Sequence, residues 1–170
     1  MVDFATLWKN HPTNRSVQFP CQLPSGFPSH RNQCAIRLGK CLNASGVTLS
    51  QMSGAITCGV HPKEDMHFLR AEEVARSIGR GGIPGVGATE KLTGETAADF
   101  YGELFGRKGL ILFKDYWRRS NEAEGNGSGD HIDLWNGYRS TSGWLMEWFS
   151  WLGYYGGYDG SKQIWFWEVK

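Results

Sequence analysis

His131-Ile-Asp-Leu-Trp135, followed by Asn136-Gly137 and then Tyr138-Arg-Ser-Thr-Ser142, is the stretch from which the fold is read. Its first run alternates with a period of two, as a strand requires, so His131, Asp133 and Trp135 share one face and Ile132 and Leu134 the other. Asn-Gly between two such runs marks a two-residue hairpin, because a type I′ turn needs positive φ at both central positions. With those residues as the turn, Trp135 opposes Tyr138, Leu134 opposes Arg139, Asp133 opposes Ser140, Ile132 opposes Thr141 and His131 opposes Ser142. Opposed side chains lie about 4.5 to 5.5 Å apart at Cβ. Ser142 is therefore the residue best placed to orient the His131 imidazole. Asp133 sits roughly 6.6 Å along the same strand and brings the charge that a serine lacks. A polar strand face would equally suit plain solvent contact.

Working outward, Gly109 to Trp117 is short, β-branched and aromatic, and Gln163 to Val169 supplies a final strand that closes the sheet. Helical spacing of Phe4, Leu7 and Trp8 predicts a short helix ending near His11-Pro12. In Asn32 to Gly46, Cys34, Leu38, Cys41 and Ser45 recur at i, i+4, i+7 and i+11. Asn32 suits the N-cap and Gly46 the left-handed C-terminal position, while Gly39 weakens the interior by about 1 kcal/mol. Further helices are expected from Phe68 to Ile78 and near Thr96 to Phe105, with Phe100, Leu104 and Phe105 buried. Gln18 to His30 is rich in proline, Gly79 to Gly87 reads as a mobile glycine loop, and Ser120 to Asp130 as a polar exposed one. Neither a repeat nor a domain boundary is visible. The reading is an α+β fold in one domain, residues 1–170.

Cys34 falls on the first turn of its helix, where unpaired N–H groups and the positive end of the dipole favour a thiolate. A cysteine in an apolar stripe is more often structural. His131 supplies the base that would complete a cysteine-hydrolase dyad. The other histidines read as surface or capping residues: His11 and His61 precede prolines, His30 lies in the proline-rich loop and His67 precedes a helix. Cys34 and Cys41, seven residues apart on one helix, are separated by about 10.5 Å, beyond the roughly 7 Å reach of a disulfide. No Cys-x-x-Cys pair marks a zinc site. A Cys21–Cys58 or Cys41–Cys58 bridge is open in an oxidising compartment.

Eighteen Lys+Arg against seventeen Asp+Glu in 170 residues give a net charge of +1, which argues against a sequence-independent nucleic-acid binder. The sequence has no apolar run of membrane-spanning length, and its start lacks the basic and apolar regions of an export signal. Seven of the eight tryptophans lie from Trp117 onward. Trp144, Trp148, Trp151, Tyr154, Tyr155 and Tyr158 could serve a non-catalytic glycan-binding module, although the spacing of Trp144, Trp148, Trp151 and Leu152 equally describes a packing face. Gly153 to Gly160 is a candidate cleft wall.

Four blocks together, Asn32-Gln-Cys-Ala-Ile-Arg-Leu38, His67-Phe-Leu-Arg-Ala-Glu-Glu-Val-Ala75, Lys108-Gly-Leu-Ile-Leu-Phe113 and Gly129-Asp-His-Ile-Asp-Leu-Trp-Asn-Gly137, resemble the family-four type VI secretion amidase effectors. The resemblance implies a papain-like, NlpC-type fold. It implies a peptidoglycan amidase that cuts between D-glutamate and meso-diaminopimelate in stem peptides. The enzyme would be made in the producer cytoplasm, carried by a contractile secretion apparatus and active in a rival's periplasm, with a cognate immunity protein occluding its cleft. Cys34 matches the nucleophile and His131 the base. The family pattern puts an aspartate near the position that Ser142 holds here. Backbone N–H groups around Cys34, with help from Gln33, would hold the oxyanion, and the chemistry needs no metal or organic cofactor.

Overall fold

The computed structural model describes residues 1–117, 129–142 and 160–170. Three helices come first: α1 (Phe4–Asn10), α2 (Cys34–Ala44) and α3 (Ala71–Gly79). Four strands, β1 (Glu90–Thr93), β2 (Gly109–Trp117), β3 (Gly129–Trp135) and β4 (Gln163–Glu168), form one antiparallel sheet in the order β1-β4-β2-β3. The short helices α4 (Glu95–Ala98) and α5 (Phe100–Leu104) lie between β1 and β2 in the chain.

The sheet is covered on both faces. Leu110, Leu112, Ile132, Leu134, Trp165 and Trp167 join the apolar stripes of α1, α2 and α3 in one core. Ile111, Phe113, Trp135, Ile164 and Phe166 meet Phe100 and Leu104 in the other. Double coverage explains why β2 reads as an unbroken apolar run where a half-exposed strand would alternate. β4 is an inner strand, where the sequence reading had it closing the sheet. β1 was not foreseen, because Leu92 is its one buried residue and no alternation marks it.

Asp3 caps α1 by accepting from the Thr6 N–H at 2.8 Å, and the chain turns extended at His11 before Pro12. In α2 the N-cap position belongs to Gln33, one residue later than expected. Asn32 instead accepts the Cys34 N–H on its side-chain oxygen at 3.2 Å. Gly46 has the left-handed φ of +88° expected of it. A Cβ at Gly39 would collide with the Met66 carbonyl and the Phe68 ring, so this glycine lets α2 rest directly on the segment 66–68. That segment shortens α3 at its start: Phe68 pairs with Thr57 in a β-bridge and cannot also open the helix. The helix expected from 96 to 105 is broken at Asp99, and Phe105 is exposed. The glycine loop 79–87 is irregular but anchored, through Val2 N–H to the Pro84 carbonyl and Gly87 N–H to the Glu168 carbonyl.

The hairpin differs from its expected register. Trp135 pairs with Ser140, not Tyr138, and the Thr141 N–H donates to the Leu134 carbonyl. The cause is local. Only Gly137 takes positive φ, whereas the Asn136 side chain accepts the N–H groups of Tyr138 and Arg139, which builds a four-residue loop. Ser142 is thereby brought to Asp133. The aromatic residues from Trp144 to Tyr158, most of Gly153 to Gly160, and most of the polar loop before Gly129 lie outside the described residues.

Candidate active site

Cys34 is the first residue of α2, and His131 the third of β3. The two side chains are hydrogen-bonded to each other. The imidazole also meets Asp133, whose Oδ2 lies 3.3 Å from His131 Nε2. The Asp133 carboxylate is in turn held on all sides. Oδ1 accepts the Leu134 N–H at 2.8 Å and the Thr141 hydroxyl, and Oδ2 accepts the Ser142 N–H at 3.0 Å. His11, at the end of α1, places Nε2 3.5 Å from Oδ1.

These groups are buried, with Asp133 at 1% exposure, His131 at 6% and Cys34 at 7%. Burial alone would raise the Cys34 thiol, yet the hydrogen bond and charge of His131, aided by the backbone N–H groups of Ile132 and Ala35, bring it below its ordinary range. Burial would likewise push His131 down, but its bonds to Asp133 and Cys34 hold it up at about 9. Against its own burial, Asp133 is kept well below the usual carboxylate range by His131, His11 and Thr141. A thiolate beside an imidazolium beside a carboxylate is the charge arrangement these shifts favour. His11 is lowered to about 4 by burial, with Arg37 and His131 adding to it, and so is neutral near pH 7.

Cys34 opens onto a cleft of about 500 Å³ lined by Asn32, Leu69, Arg70, Glu72, Arg76 and Asp130, among others. Arg70 bonds Glu73 at 3.0 Å and Arg76 bonds Glu72 at 2.8 Å, so the wall presents both signs of charge.

Of the residues singled out from sequence, the structure brings Cys34, His131, Asp133 and Ser142 together. Ser142 comes through its backbone N–H and to Asp133, since the four-residue loop moves it two positions along β3 from the partner expected for it. Gln33 is placed otherwise than expected for an oxyanion contact. Its amide accepts the Cys21 N–H at 2.9 Å and donates to the carbonyls of Cys21 and His30, so it secures the loop ahead of α2. His11 and Thr141 were missed: His11 read as a surface residue beside a proline and is 1% exposed. Nothing local in the sequence marks either. Arg70 and Arg76 were missed as lining residues, although the charged face of α3 was the signal. Among the described residues the one cluster with metal-ligand atoms close together lies elsewhere, at Cys21, Cys58, His61 and His67.

The family model described as type VI secretion system amidase effector protein 4, Tae4, matches residues 30–167. No curated protein matches the chain. The crystal structure of the type VI effector Tae4 from Enterobacter cloacae is similar with a TM-score of 0.59 at 13% identity, covering 100% of this chain and 98% of that one. The effector Tae4 from Salmonella typhimurium, solved in complex with the immunity Tai4 from Enterobacter cloacae, gives 0.56 at 16% identity over 83% and 84%. At these identities the likeness to the two structures is one of fold.

Proposed function

The chain belongs to the type VI secretion amidase effector 4 family and is thus an antibacterial amidase effector, and from that premise we propose that Cys34, His131 and Asp133 hydrolyse the bond between D-glutamate and meso-diaminopimelate in peptidoglycan stem peptides. The observation that carries this reading is the hydrogen-bonded chain Cys34–His131–Asp133, whose cysteine lines a cleft. With Nε2 given to Asp133, Nδ1 is the imidazole nitrogen that exchanges a proton with the thiol. A cysteine opening a helix that packs against a His-bearing antiparallel strand agrees with a papain-like, NlpC-type domain spanning the whole chain.

The thiolate attacks the γ-glutamyl carbonyl carbon, and the oxyanion settles against backbone N–H groups at the start of α2. Collapse of the tetrahedral adduct breaks the C–N bond, and His131 gives its proton to the departing amine. His131 then takes a proton from water, whose hydroxide attacks the thioester and returns the thiol. Asp133 holds the ring in the orientation that both transfers need and stabilises the imidazolium, as the carboxylate does in serine-protease triads. The mixed charge of the cleft suits a stem peptide, which carries free carboxylates and an ammonium group. The family further supports delivery by a type VI apparatus into a rival's periplasm, and occlusion of the cleft by an immunity protein.

Mass spectrometry of muropeptides released from Gram-negative sacculi tests the reading. We expect products ending in D-glutamate with a new amino group on diaminopimelate. Cys34→Ala should reduce their release by at least about 10³-fold while the protein stays folded. Cleavage at another bond would reassign the substrate. Sacculus binding with no cleavage by the parent protein would replace the enzyme with a wall-binding module.

A further inference from the structure

The loop before α2 and the segment 56–68 meet around four side chains that the hydrolytic mechanism does not use. Cys21 Sγ and Cys58 Sγ are 3.7 Å apart. His61 Nδ1 lies 3.5 Å from the first sulfur and 3.4 Å from the second. The His67 ring sits over His61 with centroids 4.1 Å apart. One ligand atom from each of the four lies within 4.8 Å of every other. Cys21, Cys58 and His67 are buried and His61 partly so, and His67 Nδ1 is buried with no hydrogen-bond partner.

Those distances have a simple geometric meaning. Around tetrahedral zinc, with bonds of about 2.3 Å to sulfur and about 2.0 Å to nitrogen, two thiolates stand about 3.8 Å apart and a thiolate and an imidazole about 3.5 Å apart. The three sulfur–sulfur and sulfur–nitrogen edges given above match within about 0.2 Å. A disulfide would employ only the two cysteines and leave two imidazoles converging on it without purpose. Two thiols and two imidazoles in a tetrahedral set select zinc over the hard cations, which prefer oxygen. The required cysteine spacing is hidden in the sequence because Cys21 is remote and histidines take the place of a second close pair.

We propose that Cys21, Cys58, His61 and His67 form a closed, four-coordinate structural Zn(II) site. Binding exchanges two thiol protons for one dication, so two thiolates and Zn²⁺ make a cluster of zero net charge, which suits its burial. The Ser29 hydroxyl donates to Cys21 Sγ at 2.8 Å, and the Cys58 N–H donates to the His67 carbonyl at 2.8 Å; such outer bonds orient ligands. The metal would tie together both walls of the cleft. Cys21 is bonded through its backbone to Gln33, next to the nucleophile, and His67 leads directly to Leu69 and Arg70. It takes no part in the hydrolysis.

The test uses the full chain, expressed with added zinc, purified in reductant without chelator and analysed by inductively coupled plasma mass spectrometry. One zinc per chain is expected, retained in Cys34→Ala and Cys41→Ser and lost in Cys58→Ser. Should Cys58→Ser fail to fold, His61→Ala at the partly exposed ligand and competition of the parent protein against a chromophoric zinc chelator supply the same reading. Cobalt in place of zinc should give the visible spectrum of a tetrahedral site with thiolate ligands. Protein that carries no zinc, a Cys58→Ser variant that keeps it, or a chain lighter by two hydrogens with a Cys21–Cys58 disulfide after purification in reductant would each overturn the proposal. None of these outcomes bears on the amidase reading, since each is a metal content, a spectrum or a mass read without any measurement of hydrolysis, and zinc is expected equally in the inactive Cys34→Ala.

Discussion

Cys34 and Cys58 are both buried thiols with an imidazole against the sulfur, yet their surroundings equip them for different chemistry. Behind His131 stands Asp133, held by Thr141, Ser142 and Leu134, so a proton moved from sulfur to imidazole leaves charges that a fixed carboxylate stabilises. Around Cys58 the further members are another thiol and another imidazole, and no carboxylate belongs to the set. Four soft or borderline donors closing on one point suit a dication better than a transferred proton. Cys41 completes the series: its thiol faces the Leu7 carbonyl, has no imidazole, and is pushed up by burial. The neighbour of the imidazole, more than the cysteine itself, decides what the thiol can do.

The strongest way to break this contrast is to take the carboxylate from the first cluster. Asp133→Asn should lower kcat by up to about 10⁴-fold, the loss seen when a serine-protease triad carboxylate becomes an amide. Ser142→Ala should cost less than about threefold, because its backbone N–H makes the contact and no catalytic interaction of its side chain is invoked. A heavier loss for Ser142→Ala would return the orienting role to that hydroxyl.

A pH profile sharpens the point. Activity of the parent should fall as His131 deprotonates near pH 9, and this alkaline limb should move to lower pH in Asp133→Asn. The stability signs follow from the same shifts. His131 is raised above 6.5, so its pairing stabilises the fold fully below that pH and the contribution disappears as pH rises through about 9. Asp133 is depressed below 3.8, so its contribution is present above that value and is lost as pH falls through its folded value. Denaturant melts of parent and Asp133→Asn across this range check both; parallel pH dependences in the two proteins would count against the coupling.

How far the sequence could show the two clusters depends on where their information resides. The place of Cys34 at the start of α2 was legible because a helix start and its period are local, and β3 was legible because alternation is local. The hairpin register was not: Asn-Gly suits a two-residue turn, but the Asn136 side chain captures two N–H groups and lengthens the loop. That change of two residues brings Ser142 opposite Asp133 instead of His131, and leaves the Asp133 carboxylate as the group 3.3 Å from the His131 imidazole. His11 and His67 were unreadable for a different reason, since their burial comes from contacts made across the fold, and proline or helix neighbours say nothing of it. β1 has too few buried residues to leave a pattern.

Removing the metal tests the second cluster's side of the comparison. Prolonged dialysis against a strong chelator in reductant should lower Tm by at least about 5 °C, as loss of a metal that binds only the folded chain must. Zinc should restore it and magnesium should not. An unchanged Tm would mean that the four side chains hold the cleft without help.

Gly39→Ala gives a smaller effect with an informative sign. Propensity alone would stabilise α2 by about 1 kcal/mol. The new methyl would meet the Met66 carbonyl, which is backbone and cannot swing aside, and overpacking of this kind costs about 1 to 3 kcal/mol. We expect a net fall in Tm of about 2 to 6 °C, together with weaker zinc retention, because α2 is forced away from the segment that carries His67. A rise in Tm would show that the close approach of α2 is dispensable.

The smallest effect should come from the cleft wall. Arg76 is exposed at the rim and already bonded to Glu72 at 2.8 Å, so a substrate carboxylate would have to share it, in contact with water. Exposed pairs of this kind are worth about 0.2 to 1 kcal/mol. Arg76→Ala should therefore raise KM for a soluble stem peptide by about two- to fivefold and leave kcat unchanged, with the increase shrinking in high salt. A loss confined to kcat would instead mean that Arg76 acts through Glu72 and the neighbouring Lys114, 3.5 Å from that carboxylate, on the strand beside His131.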